Sequence, residues 1–177
     1  MQLSLHRFHT LVFDFDGVFT NNKVYVDQNG LELVQCDRSD GYAIDLISKY
    51  SSLYNIDIHM FILSTESNKV VSQRASKLKL ECHHGVSDKL GFLDNYLKIK
   101  HKDPQGLIYF GNDLNDLPVL SLECFFVAPK DAHALILDKA SYVVDKPGGC
   151  SFVREFIEVL LGLDTMPHSD LINLIRS

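Results

Sequence analysis

Apolar and polar positions along the 177-residue chain follow two alternating rhythms. Short unbroken apolar runs lie at about residues 10–15, 57–63, 107–110, 124–127 and 142–144, the pattern of strands buried on both faces. Between them, amphipathic stretches predict helices near 41–50, 67–77, 88–100, 116–121, 131–137 and 151–161. This alternation predicts an α/β fold, a Rossmann-like parallel sheet flanked by helices. Residues 81–84 read as a short strand-like link. One insertion breaks the order. Residues 23–27 and 31–36 are β-prone and joined through Gln28-Asn29-Gly30, a hairpin signal directly after the first strand. Past Gly162 the pattern weakens, which divides the chain into a domain over 1–162 and a C-terminal tail over 163–177; residues 166–177 form a short helix or a loosely held end. No segment is long enough for a separate cap domain, so a site on this sheet must be closed by something else.

Composition narrows the function classes. With 46% apolar and 23% charged residues the chain is of ordinary globular type, and its net charge of −6 argues against nucleic acid or an anionic membrane as partner. No apolar stretch approaches the roughly 20 residues of a membrane span. The first ten residues lack the apolar region and cleavage site of a signal peptide. Cys36, Cys82, Cys124 and Cys150 form no C-x-x-C pair, so they are expected to be buried free thiols of a cytoplasmic protein rather than zinc ligands.

The chemistry gathers where apolar runs end. Leu11 to Thr20 delivers two carboxylates, Asp14 and Asp16, then turns at Gly17. Residues two apart on a strand share a face, and two close acids repel unless a cation or a shared proton intervenes. A hard divalent metal and a division of labour between the acids follow; the plain alternative is a solvated Asx turn. Ser64 ends the second apolar run, where its hydroxyl and helix N-terminal amides can hold a phosphoryl oxygen, or where it caps the helix. Lys89 stands near a helix start, an unfavourable place for a cation unless an anion faces it. Asp113 follows Gly111 and Asn112 at another strand end and could complete an oxygen-rich Mg²⁺ site with Asp14, although Asn115 and Asp116 also suit a turn before Pro118. In open parallel α/β sheets ligands bind beyond the carboxyl ends of the strands, and all four segments sit there.

Asp14-Phe-Asp16-Gly-Val, Ser64, Lys89 and Gly111-Asn-Asp113-x-x-Asp116 together resemble the four motifs of the haloacid dehalogenase superfamily of phosphotransferases. The hairpin, Arg38-Ser-Asp40-Gly41-Tyr42, Gly85-Val-Ser-Asp-Lys89, Pro147-Gly148-Gly149 and Val153-Arg154-Glu155 resemble its capless group, which holds 3-deoxy-manno-octulosonate 8-phosphate phosphatases, nonulosonate 9-phosphate phosphatases and the C-terminal domains of some acylneuraminate cytidylyltransferases. The resemblance implies a phosphomonoester hydrolase acting on a phosphorylated 2-keto-3-deoxy sugar acid through an aspartyl-phosphate. Asp14 would be the nucleophile and Asp16 the acid and base. Asp14, the Asp16 backbone carbonyl and Asp113 would hold Mg²⁺, Ser64 and Lys89 the phosphate, with Asp116 and Asn112 in support. It also implies a homotetramer with central hairpins and neighbours closing each site, with Thr65, Glu66, Asp40 and Gly41 near the substrate and Arg154 or the Gly148-Gly149 run near a neighbouring site.

Two positions depart from the pattern. Many relatives carry Asp where Asn112 stands, and octulosonate phosphatases carry Gly-Arg where Thr65-Glu66 stands. Glu66 would not welcome a substrate carboxylate but could accept from sugar hydroxyls, which tilts the expectation toward a nine-carbon acid phosphate. A non-catalytic oligomerisation module is the competing reading, opposed by the intact acids. A phosphoryl-accepting switch is a third, opposed by Asp16, because fast hydrolysis defeats signalling.

Overall fold

In the computed structural model, which describes residues 3–177, six strands form one parallel sheet in the order β5-β4-β1-β6-β7-β8. They are β1 (Thr10–Phe13), β4 (His59–Leu63), β5 (Glu81–His83), β6 (Leu107–Phe110), β7 (Phe125–Pro129) and β8 (Tyr142–Val144). The all-apolar runs take the central places: every residue of β1 and β6 is buried. The short link at 81–84 is a true edge strand, in register Phe61↔Glu81 and Leu63↔His83. β2 (Thr20–Val26) and β3 (Glu32–Cys36) form a separate antiparallel hairpin.

Helices cover both faces. On one side α1 (Arg38–Tyr54), α2 (Lys69–Leu78) and α5 (Phe152–Leu161) pack over Phe13, Ile62 and Phe110. On the other, α3 (Lys89–Lys100), α4 (Ala134–Leu137) and a 3-10 segment over Leu117–Leu122 cover Val12, Phe61, Tyr109 and Phe126. The Phe13 and Phe110 rings stack with centroids 4.5 Å apart, tying neighbouring strands beneath the crevice. The terminal α6 (His168–Arg176) lies against α1, with Leu174 buried and Lys49 Nζ donating to the Ile175 carbonyl at 2.8 Å.

Several boundaries differ from expectation for local reasons. Helix α1 starts at Arg38 rather than 41 because the Asp37 carboxylate accepts from Ser39 N, and it runs on to a left-handed Asn55. Helices α2 and α3 likewise end on left-handed Lys79 and His101, residues that carry no glycine-like stop signal. The expected helix at 116–121 is a 3-10 segment. All four cysteines are free, but only Cys124 is buried and Cys150 is exposed, which corrects the expectation of four buried thiols. No described helix is long and apolar enough to cross a membrane.

Candidate active site

Strand β1 stops at Phe13, two residues earlier than expected, so neither acid is a strand residue. Asp14 N still donates to the Phe110 carbonyl at 2.9 Å, which pins it to the sheet edge. The chain then coils: Val18 N and Phe19 N both donate to the Phe15 carbonyl, and Gly17 turns with φ of 76°. A Cβ at Gly17 would lie 2.0 Å from Asn112 Nδ2, so only glycine permits this approach of the two loops. With Phe15 packed in the core, Asp14 and Asp16 both reach the crevice.

The floor of the site is a buried ionic cluster. Lys89 Nζ lies 2.9 Å from Asp14 Oδ1 and 2.7 Å from Asp116 Oδ1, with all three side chains no more than 4% exposed. Tyr109 donates its hydroxyl to Asp116 Oδ1 at 2.6 Å, and Asn112 N and Asp113 N donate to Asp116 Oδ2 at 2.9 and 3.3 Å. Asp116 thus sits among four donors, with Lys89 shared between it and Asp14. Burial, then repulsion from Asp116, pushes the Asp14 carboxyl well above its usual range, against the pull of Lys89. For Lys89, burial works against the charge, but the two carboxylates overcome it and raise its pKa. One cation facing two carboxylates leaves one negative charge uncompensated at Asp14. The Phe15 amide and Lys89 both bind Oδ1; neither of these contacts falls on Oδ2.

Asp16 differs in kind. Its Oδ1 accepts from the Thr20 hydroxyl at 3.1 Å, and Thr20 in turn accepts from Gly17 N and Asn22 N. Burial raises its pKa against that hydrogen bond, with Glu66 and Glu32 adding to the rise. The two acids open with Ser64, Thr65, Asn112 and Asp113 onto a cavity of about 320 Å³, whose lining Asn22, Leu114 and Asn115 complete. Ser64 does not cap α2, whose cap is Asn68; instead its Oγ accepts from Glu66 N. Lys89 lies behind Asp14, and the anions it serves are Asp14 and Asp116.

Three residues expected near the substrate, and Arg154, expected near a neighbouring site, are not on this cavity. Glu66 turns its Oε1 to Ser67 N and Asn68 N at the start of α2. Asp40 is fully buried under α5, its Oδ1 accepting from Arg154 N at 2.9 Å. Gly41 lines a separate hollow with Ile44 and Met60. Arg154 pairs with Glu158 and lies over the Tyr42 ring. Sequence reasoning missed Thr20, Asn22, Tyr109, Leu114 and Asn115. Only Tyr109 carried a signal, since a tyrosine within a fully buried run must find a hydroxyl partner.

The residues present fit a hard cation. No three described His, Cys, Asp or Glu side chains form a ready cage, yet every donor at the mouth is oxygen. Asn112 Oδ1 is buried with no hydrogen-bond partner, beside Asp113 and the surplus charge of Asp14. Oxygen donors with excess negative charge suit Mg²⁺.

No protein-family model matches the chain. Among curated proteins it is similar to the 3-deoxy-D-manno-octulosonate 8-phosphate phosphatase of Yersinia pestis, 34% identical over 152 residues, 85% of this chain and 78% of that protein. A solved structure from Streptomyces avermitilis assigned to the HAD family hydrolases superposes with a TM-score of 0.86 at 34% identity, covering 96% of this chain and 95% of that one. The Moraxella catarrhalis octulosonate 8-phosphate phosphatase, solved with magnesium ion, phosphate ion and KDO, shares the fold with a TM-score of 0.80 at 23% identity, covering 89% of this chain and 88% of that one.

Proposed function

The chain belongs to the 3-deoxy-D-manno-octulosonate 8-phosphate phosphatase family of haloacid dehalogenase-type phosphomonoester hydrolases, and on that premise we propose that it removes phosphate from a phosphorylated 2-keto-3-deoxy sugar acid. The observation that carries this reading is two carboxylates of opposite setting on one cavity, Asp14 held by Lys89 and Asp16 held by Thr20.

In the proposed reaction Asp14 Oδ2 attacks phosphorus. The bond from phosphorus to the sugar oxygen breaks as the bond to Asp14 forms, and protonated Asp16 gives its proton to the departing oxygen. The raised pKa of Asp16 suits a group that must hold a proton before the first step. Asp16 then takes a proton from water, the water oxygen attacks phosphorus, and the aspartyl-phosphate bond breaks to release inorganic phosphate. Ser64 holds a remaining phosphoryl oxygen and Lys89 supplies positive charge behind Asp14, while Asp116, Tyr109 and Asn112 hold Lys89 and the loop in place. Asp14, the Asp16 backbone carbonyl and Asp113 would carry Mg²⁺, which when bound supplies positive charge against the phosphoryl oxygens.

Among the described residues no lysine or arginine lines the cavity, so no cation of this chain faces the substrate's own carboxylate. The hairpin meanwhile exposes Val24, Tyr25, Val26, Leu31 and Leu33, each more than half accessible. Both facts support a homotetramer in which hairpins pack together and a neighbour closes each site. The curated relatives favour the eight-carbon substrate. Thr65-Glu66, standing where octulosonate phosphatases carry Gly-Arg, keeps a nine-carbon acid phosphate as second reading.

The test is phosphate release with Mg²⁺ from octulosonate 8-phosphate, a nonulosonate 9-phosphate and unrelated sugar phosphates. Turnover that favours one keto-deoxy acid and is abolished in Asp14→Asn is the expected result. A folded, Mg²⁺-binding tetramer that releases nothing would instead support a non-catalytic scaffold.

A further inference from the structure

The Pro147-Gly148-Gly149 run has no part in the chemistry above, yet it crosses the back of the loop that carries Asp16. A Cβ at Gly148 would stand 2.0 Å from the Gly17 carbonyl oxygen, and one at Gly149 2.4 Å from the Thr20 carbonyl carbon. Gly149 N donates to the Val18 carbonyl at 3.0 Å. Backbone therefore lies on backbone, with no side chain between to yield. The side-chain hydrogen bonds around Asp16, through Thr20 to Gly17 N and Asn22 N, all stay within residues 16–22. They make the loop a unit but do not locate it.

The strap is tied at both ends. Gly148 N donates to Asp131 Oδ1 at 2.9 Å. Beyond it, Ser151 Oγ donates to Asp37 Oδ2 at 2.9 Å and Arg154 N donates to Asp40 Oδ1 at 2.9 Å. Helix α5 has no side-chain cap from its own N-cap residue Ser151, and Asp40, reaching from α1, takes that place. This accounts for a buried carboxylate that the reaction leaves unused.

The geometry points to residues 147–151 as a clamp that sets the position of the general acid, with Asp131 and Asp40 as positioning residues acting on Asp16 through the glycine strap. The inference rests on the proposed roles of Asp14 as nucleophile and Asp16 as acid. A misplacement of about 1 Å in a reacting group lowers a rate by roughly 10²-fold. The clamp therefore matters for a leaving group that needs a proton and not for one that departs without it.

The experiment compares single-turnover rates on the sugar-acid phosphate with the burst of 4-nitrophenolate from 4-nitrophenyl phosphate, whose leaving group departs unprotonated at neutral pH. Asp131 is exposed, so its substitution leaves the core intact. Asp131→Ala is expected to slow the sugar-phosphate step by about tenfold, and Gly148→Ala by up to about 10²-fold. The nitrophenolate burst should stay within about twofold of wild type in Asp131→Ala. Asp131→Asn, which keeps an Oδ1 acceptor for Gly148 N, restores the sugar-phosphate rate. Equal losses on both substrates, no loss on either, or an Asn variant as slow as the Ala variant would overturn the clamp. Nitrophenolate release that survives Asp14→Asn overturns the nucleophile assignment and the clamp with it.

Discussion

The floor of the site and the β2–β3 hairpin, which follows Asp14 directly, are opposite in physics. On the floor, Asp14, Lys89, Asp116 and Tyr109 are buried, charged or polar, and bound to one another from three different strand ends. The hairpin carries large apolar side chains that meet solvent. The floor is bonded within one chain, whereas the hairpin leaves its apolar side chains uncovered. In the proposed tetramer, catalytic chemistry would be folded in and substrate enclosure assembled.

The largest effect should come from breaking the floor. Lys89→Met leaves two adjacent carboxylates buried without their cation. Turnover is expected to fall by about 10²–10³-fold, as for loss of a transition-state charge partner, and stability by about 3 kcal/mol. The stability deficit should shrink at acid pH, where a proton replaces the lysine charge. Phosphate release and thermal unfolding at pH 5 and pH 8 check both; near-normal turnover would mean that Lys89 only fills space.

Next comes the hairpin. Tyr25→Asp with Leu33→Asp should yield monomers by sedimentation while each floor stays folded. KM should rise about tenfold, or ~1.4 kcal/mol, with a smaller change in kcat. An unchanged assembly would erase the contrast drawn above.

The smallest effect concerns Asp40. Burial, resisted by the Arg154 amide, pushes its carboxyl up to about 7. The folded state then holds a proton that the unfolded chain releases near pH 4, so this group lowers stability as pH rises from about 4 to about 7. Asp40→Asn keeps an acceptor for α5 and removes the titration. Its melting temperature relative to wild type should therefore climb by a few degrees, roughly 2–4 °C per kcal/mol, between pH 5 and pH 8. A pH-independent difference would show that the carboxyl is not perturbed.

Strand order aside, much of this was legible in the chain. The apolar runs located five of the six sheet strands, because a strand buried on both faces has little choice of composition, while the polar edge strand at Glu81–His83 read only as a strand-like link. Helix ends were less legible: Asn55, Lys79 and His101 adopt the left-handed cap without being glycine, and Asp37 starts α1 through a hydrogen bond rather than a periodicity. Asp14, Asp16, Ser64, Lys89 and Asp113 stood out because each places polarity where an apolar run stops. Asp40, Gly41 and Arg154 stood out only through the family resemblance, and within the chain none of them lines the cavity.

By itself, then, the sequence determined which segments are strands, which acids cluster at their ends and that no cap domain covers them. Local composition controls those properties, since an apolar run must be buried and a carboxylate at its end must meet water, a proton or a cation. Tertiary structure alone decided that Lys89 and Asp116 pair beneath Asp14, that Tyr109 completes them, that Glu66 turns back to its helix, and that a glycine strap 130 residues downstream lies on the acid loop. These are contacts between distant segments, set by close packing of whole elements, and no local pattern encodes which distant backbone will arrive there.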